Sequence, residues 1–328
     1  MVMIRTPLRV SFAGGGSDRP EFIEARGAGR VVSTTITRYV HVTAHRRLVQ
    51  STVRVAYTRT EEAPSAAAID HDIVREALLT TGLESAIEVH TIAELPSRGS
   101  GLGASSALAV GCLHAFRALQ GERPTAAELA RQACDLEIER LGQRIGRQDQ
   151  WACALGGVRE YAFLRGGEVR SYSLRLGREA RAALEAHLLL VWSPRRGDTS
   201  ARMLAEQTDL DAIEALAGFV PATTEALLAG NMRGLGNLLR ASWEIKRRLA
   251  EGLSPPDVDA MIDAALGTGA YGAKLCGAGG GGCILLITPP ERREAVVAAM
   301  APGITVPAGL DFKGTVVCYA QGRDHPGP

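Results

Sequence analysis

The chain has 328 residues, 46% of them apolar, and 37 basic against 36 acidic side chains leave a formal net charge of +1. That balance offers no pull toward nucleic acid, and no apolar run is long enough to span a bilayer, so a soluble cytoplasmic protein is expected, monomeric or homodimeric. Six cysteines (Cys112, Cys134, Cys153, Cys276, Cys283, Cys318) form no Cys-x-x-Cys pair and no zinc spacing, and the histidines do not cluster, which points to buried reduced thiols.

Residues 4–12 read as a strand that runs into Ala13-Gly14-Gly15-Gly16-Ser17-Asp18. An aspartate just past three glycines can accept hydrogen bonds from sugar hydroxyls, or it can cap the next turn. Arg9 lies mid-strand, where an arginine is uncommon unless it is paired or faces a site. Residues 31–43 and 52–57 alternate apolar and polar side chains and read as further strands, and residues 70–80 as a helix.

Residues 86–92 alternate like a half-buried strand and lead into Leu95-Pro96-Ser97-Arg98-Gly99-Ser100-Gly101-Leu102-Gly103-Ala104-Ser105-Ser106. Residues 105–119, rich in Ala and Leu and free of proline, read as a helix. Strand, glycine turn and a helix opening on two hydroxyls is a phosphate-holding arrangement, because the first N–H groups of a helix lack internal partners and attract anions. Gly99, Gly101 and Gly103 allow positive φ and a close ligand. The turn is neither a Gly-x-x-x-x-Gly-Lys-Ser/Thr loop nor the dinucleotide Gly-x-Gly-x-x-Gly, and no protein-kinase motif is present.

Residues 125–141 read as one helix with Thr125 and Glu128 as a capping box. At 3.6 residues per turn, Leu129, Ala130, Ala133, Cys134, Leu136 and Leu141 share a face, and Glu137 falls near its middle. A carboxylate there needs a partner, either Arg140 on the same face or a metal ion. The polar cluster Gly142-Gln143-Arg144-Ile145-Gly146-Arg147-Gln148-Asp149-Gln150-Trp151 follows, with Asp149 a candidate base, an orienting carboxylate or a helix cap.

Two short strands are expected within 161–176 around Arg165-Gly166-Gly167, and an apolar strand at 187–192. A boundary near 185 divides the chain into domains 1–184 and 185–328. Helices are expected at 209–228, 231–251 and 257–266. A second glycine-rich loop, Cys276-Gly277-Ala278-Gly279-Gly280-Gly281-Gly282-Cys283, enters a buried strand and implies close backbone approach to a ligand or another strand. A helix at 291–300 and a strand at 315–319 would complete an α+β second domain. The only lysines are Lys246, Lys274 and Lys313.

Three segments, Pro7 through Asp18, Pro96 through Ala107 and Lys274 through Cys283, together resemble the GHMP small-molecule kinases, named for galactokinase, homoserine kinase, mevalonate kinase and phosphomevalonate kinase. Within that family the look is that of the sugar-1-kinases acting on D-glycero-D-manno-heptose 7-phosphate. It is carried by Ala13 through Asp18, Gly146-Arg147-Gln148-Asp149-Gln150, Trp243-Glu244-Ile245-Lys246-Arg247 and Leu275-Cys276-Gly277-Ala278. The resemblance implies an α+β, two-domain GHMP kinase fold: an N-terminal mixed-sheet ATP-binding domain and a C-terminal ferredoxin-like domain. It also implies ATP and Mg2+ as cofactors and a small-molecule sugar phosphate as substrate.

Residue by residue, Asp149 matches the catalytic aspartate of galactokinase-like members. Glu137, twelve residues earlier, matches the magnesium-binding glutamate. Gly99, Ser100, Gly101, Leu102, Gly103, Ala104, Ser105 and Ser106 match the loop that holds the ATP phosphates, with Ser105 as the second magnesium ligand. Arg9 matches an arginine near the transferred phosphate. Asp18 matches a sugar-hydroxyl reader, and Gly14, Gly15, Gly16, Ser17, Gly279 and Gly280 line the acceptor side with it. Arg195, Arg196 and Lys246 are candidates for the basic fork that a distal sugar phosphate needs. Ala104 departs from the serine of many members. Gly15 and Gly16 replace the Glu and His of galactokinases, which argues against galactose and leaves room for a longer sugar. The neighbouring readings are a sugar-1-kinase for a fucose-like hexose or another stereoisomer, and a non-catalytic sugar sensor on the same fold.

Overall fold

In the computed structural model, which describes residues 1–96, 99–194 and 200–321, the alternating segments of the first half build a nine-stranded sheet. Its early strands are β1 (Val2–Ala13), β2 (Ala28–Arg46), β3 (Val53–Ala56), β4 (Thr60–Ala63), β5 (Ile87–Ala93), β6 (Val158–Leu164) and β7 (Val169–Ser173). β2 is the spine. It pairs with β1 along one side, and on the other with β6 through residues 28–34 and with β5 through residues 40–46. β3 runs parallel to β5, so the sheet is mixed, as expected.

The second sheet contains β8 (Leu188–Trp192), β9 (Gly272–Leu275), β10 (Cys283–Ile287) and β11 (Ile304–Thr305), antiparallel in the order β11-β8-β10-β9. That is the strand order of a ferredoxin-like unit. Two later strands, β12 (Leu310–Asp311) and β13 (Val316–Ala320), return to the first sheet, where β12 pairs with β2 and β13 with β1. The strand expected to complete the second domain therefore belongs to the first. The division at 185 needs correction, because residues 310–320 sit with the N-terminal sheet.

Helices α1 (Pro20–Arg26), α2 (Asp72–Thr81), α3 (Ala104–Leu119), α4 (Ala126–Cys134) and α5 (Gln148–Leu155) accompany the first sheet. The others are α6 (Arg178–His187), α7 (Ser200–Glu206), α8 (Leu210–Gly218), α9 (Val220–Leu228), α10 (Met232–Lys246), α11 (Pro256–Thr268) and α12 (Arg293–Ala299). α3 is apolar almost all round, and its Ala107, Ala109, Leu113 and Phe116 are wholly buried between the sheet and the neighbouring helices. Among the described residues no helix is long and apolar enough to cross a membrane.

Three helix expectations need correction. The Thr125–Glu128 capping box is present, with Glu128 N donating to Thr125 Oγ1 at 3.2 Å and Thr125 N to the Glu128 carboxylate at 2.7 Å. The helix it opens leaves α-geometry after Cys134, however, and residues Asp135–Arg140 form a π-helical turn. The helix expected at 209–228 is two, α8 and α9, because Pro221 lacks the N–H that an interior position must donate and fits only a first turn. α10 stops at Lys246, short of residue 251.

The two sheets meet where their glycine loops touch backbone to backbone. Gly101, at φ +71°, would place a Cβ 2.5 Å from the Cys276 carbonyl oxygen, and Gly277, at φ +67°, would place one 2.5 Å from the Gly101 Cα. Cys283 N donates to Ser100 O at 3.1 Å, and Ser193 N to Gly282 O at 3.0 Å. Gly101→Ala combines a left-handed backbone with a clash against main chain that cannot swing away. It is expected to cost about 2–4 kcal/mol of unfolding free energy. Denaturant unfolding checks this, and a loss under about 0.5 kcal/mol, the level of an indifferent surface change, would show that the loops do not depend on the contact.

Candidate active site

A cavity of about 660 Å³ opens between the glycine turn, the Gly14–Asp18 loop, the N-terminus of α5 and the last turn of α10. The first turn of α3 forms its phosphate-like end. Gly103 precedes the helix at φ +74°, and Ala104, Ser105 and Ser106 follow, so the unpaired N–H groups of the helix start open into the cavity. Of the turn residues expected to line it, Gly99, Ser100, Gly101, Gly103, Ala104, Ser105 and Ser106 do. Leu102 does not: its side chain is wholly buried in the core, and only its carbonyl serves the site, accepting from Arg9 N at 2.9 Å.

Arg9 explains its own place in a strand. The register of β1 against β2 shifts between Pro7 and Leu8, and the guanidinium then meets the α5 N-terminus. Its Nε donates to Asp149 Oδ1 at 2.7 Å and its Nη2 to Asp149 Oδ2 at 2.6 Å, while Nη1 donates to Gly101 O at 2.6 Å. Burial alone would lower the Arg9 pKa, but the bidentate carboxylate raises it, so the charge is fixed. Asp149, in the first turn of α5, keeps 23% of its side chain exposed toward the cavity, where Arg9 keeps 6%.

Glu137 is wholly buried within the π-helical turn. Arg140, the alternative partner, pairs instead with Glu76, its Nη2 2.8 Å from the carboxylate. Glu137 accepts from Ser105 Oγ at 2.7 Å and from Gln150 Nε2 at 2.6 Å. Burial pushes its carboxyl up to about 6, against the pull of those donors and of Ser106, and the Asp149 charge adds to the rise. Among the described residues no group of three His, Cys, Asp or Glu could cage a metal. One buried carboxylate and one hydroxyl beside a phosphate-binding helix start do suit Mg2+, which keeps waters and takes its remaining oxygens from substrate phosphates.

Asp18 ties two loops together. Gly16 N donates to its Oδ1 at 3.1 Å, Gln148 N to Oδ2 at 3.0 Å, and Gln148 Nε2 to Oδ1 at 3.1 Å. A carboxylate has about four acceptor sites, so one stays available for a hydroxyl. Burial raises its pKa, and the nearby Asp149 charge adds to this against the backbone N–H groups. Gly14 supports the loop, since a Cβ there would lie 2.0 Å from Arg30 O. Gly15 and Gly16 are open toward the cavity, with no neighbour nearer than 3.9 Å and 3.6 Å respectively to an added Cβ.

Several expected contacts are absent. Ser17 is wholly buried and spends its hydroxyl on Gly14 O at 2.7 Å and Arg30 O at 2.8 Å, so it shapes the loop from behind. Gly279 and Gly280 turn away to Leu253: Gly280 N donates to Leu253 O at 2.8 Å, and a Cβ on Gly279 would lie 2.5 Å from Leu253 Cγ. Arg195 and Arg196 lie outside the described residues. Lys246 does line the cavity. Sequence reasoning missed Lys274, Arg19, Ser11 and Trp243, which line it too. The scarcity of lysine had drawn attention to Lys274, but nothing in its neighbours along the chain revealed its direction.

Comparison with known proteins shows the family of the chain. The family models "GHMP kinases N terminal domain" and "GHMP kinases C terminal" match residues 67–157 and 223–303. The chain is 28% identical over 298 residues to the D-glycero-alpha-D-manno-heptose 7-phosphate kinase of Campylobacter jejuni, covering 85% of this chain and 86% of that one. It is 30% identical over 230 residues to the L-fucokinase/L-fucose-1-P guanylyltransferase of Bacteroides fragilis, a match of 66% of this chain but 23% of that longer protein. The crystal structure of a D-glycero-D-manno-heptose 1-phosphate kinase from Bacteroides thetaiotaomicron superposes with a TM-score of 0.81 at 26% identity, covering 98% of this chain and 100% of that one. The chain belongs to the GHMP kinase family of ATP-dependent small-molecule kinases.

Proposed function

We propose that this protein transfers the γ-phosphoryl group of ATP to the anomeric hydroxyl of a heptose 7-phosphate, giving a heptose 1,7-bisphosphate and ADP. The observation that carries the reading is Asp149, held bidentate by Arg9 between the phosphate-binding start of α3 and the open Gly15–Gly16 loop. The 28% identity to a heptose 7-phosphate kinase along 85% of the chain supports the choice of acceptor. Room at Gly15 and Gly16 suits a sugar longer than a hexose.

The turn 99–106 holds the triphosphate through the N–H groups at the start of α3. Asp149 orients the anomeric hydroxyl and takes its proton as the new O–P bond forms and the bond to the ADP oxygen breaks. Arg9 keeps Asp149 in one orientation and faces its charge toward the transferred group. Ser105 and Glu137 would hold Mg2+, which supplies charge neutralisation on the phosphates when bound. Gln150 positions Glu137 for it.

Asp149→Asn keeps the shape of the side chain and removes the proton acceptor. Turnover is expected to fall by about a hundredfold or more while ATP affinity holds, as loss of a general base does. Near-normal turnover would remove Asp149 from the role. Glu137→Gln is expected to raise the Mg2+ concentration for half-maximal turnover by about tenfold or more, and an unchanged Mg2+ dependence would place the ion elsewhere. ADP release across free hexoses and heptose 7-phosphates of different stereochemistry tests the acceptor. Activity confined to heptose 7-phosphates is expected. Activity on free hexoses alone would discard the acceptor and keep the kinase.

A further inference from the structure

The last turn of α10 and strand β9 bring two lysines into the cavity. Lys246 lies on one helix face with Ser242 and Trp243 and donates from Nζ to Gly277 O. Lys274 reaches across to β1, donating from Nζ to Ser11 O at 2.9 Å and Phe12 O at 3.3 Å. Among the described residues neither ammonium has a carboxylate partner. The nearby Asp149 is already claimed by Arg9. Burial pushes Lys246 down to about 7, with Lys274 adding repulsion, and burial pushes Lys274 down to about 8. Two neighbouring cations under low exposure, answered only by carbonyls, cost several kcal/mol apiece unless an anion joins them.

A second, independent observation points the same way. The Trp243 indole Nε1 is buried with no hydrogen-bond partner, on a side chain only 1% exposed that lines this cavity. The Ser11 hydroxyl, beside the carbonyl that Lys274 grips, is also unpartnered and also lines it. Unmet donors are uncommon inside proteins and mark a place where a ligand acceptor is missing. Two ammonium groups, an indole N–H and a hydroxyl are the donors that a phosphate dianion takes.

We propose that Lys246, Lys274, Trp243 and Ser11 form a second anion subsite, beside the triphosphate turn, that holds the phosphate group of the acceptor. The proposal rests on the reading of the acceptor as a phosphorylated sugar. It builds on Lys246, one of the three expected fork residues, and adds to it a cluster drawn from α10, β9 and β1.

The test uses the full chain loaded with Mg2+ and a non-hydrolysable ATP analogue, so that the γ-phosphate position is filled, and inorganic phosphate as the probe. The indole 15N–1H signal of Trp243, identified by its loss in Trp243→Phe, should shift saturably with phosphate. In Lys246→Met and in Lys274→Met the phosphate affinity should fall at least tenfold. Lys246→Met should fold: the parent lysine binds fewer protons folded than unfolded between about pH 7 and its ordinary range near 10.5. Stability lost to it is therefore largest below about pH 7 and fades as pH rises. The variant should melt above the parent at pH 7, with the gap closing toward pH 10. In kinetics, each lysine variant should raise the KM for a heptose 7-phosphate at least tenfold and leave the KM for ATP unchanged. An indole signal that ignores phosphate, or one that responds equally in the variants, would overturn the subsite. A fall in kcat equal for phosphorylated and free sugars, with KM unchanged, would assign the lysines to the transferred phosphoryl and overturn the acceptor-side assignment. A parent enzyme inactive on all sugar phosphates, yet binding phosphate as described, would sink the acceptor reading and leave the anion site standing.

Discussion

The site depends on main chain touching main chain at Gly101 and Gly277. The larger core runs through both sheets, with Leu188, Leu190, Leu285 and Ile287 packed in one cluster with β1, β2 and α3, and the smaller core lies on the other face of the second sheet. At the mouth of the site the two sheets are joined by a contact too close for any side chain. Two cations hold it, the buried Arg9 on the Gly101 carbonyl and the half-buried Lys246 on the Gly277 carbonyl. The phosphate turn is thereby placed by both halves of the molecule, and its glycines serve the protein's own backbone as much as a ligand.

Three buried or half-buried carboxylates around this joint have been given different surroundings. Asp149 has a guanidinium, Asp18 has amide N–H groups, and Glu137 has only neutral side-chain donors. Environments this different separate the proton affinities of like groups, so the three are not interchangeable. The π-helical turn at Asp135–Arg140 is part of that arrangement. Such turns concentrate at functional positions because one extra residue per turn rotates the side chains beyond it. Here it accompanies a carboxylate turned inward beside Ser105, while Arg140 reaches out to Glu76.

Much of this was legible wherever a residue broke its local rule. An arginine mid-strand and a glutamate on an apolar helix face both signalled a need for partners: Arg9 meets Asp149, and Glu137 meets Ser105 and Gln150 where Arg140 or a metal ion was expected. The capping box was readable because its two residues are neighbours in sequence. Ser17, Gly279 and Gly280 were misjudged for a common reason: a glycine or small polar residue in a loop looks the same whether it meets a ligand or the protein's own main chain. Lys274 and Trp243 lay within segments that carry the family resemblance, yet their place in the cavity was not legible along the chain, because Lys274 reaches across space to β1 and the Trp243 indole lacks a partner there. The return of β13 to β1 escaped notice since a five-residue apolar strand carries no address, and its partner is chosen by whichever edge is left open.

That late return has a consequence for how the molecule is made. β13 pairs with β1, and Met1 O accepts from Gln321 N at 2.8 Å, so the outer neighbour of β1 is synthesised only some three hundred residues after it. At cellular rates of synthesis the interval is on the order of tens of seconds. During it the edge of β1 presents unpaired N–H and C=O groups, the pattern that recruits strands of other chains. The nascent protein thus carries an open seam until β13 closes it, and over that interval it calls for shielding of that edge more than for help with its core.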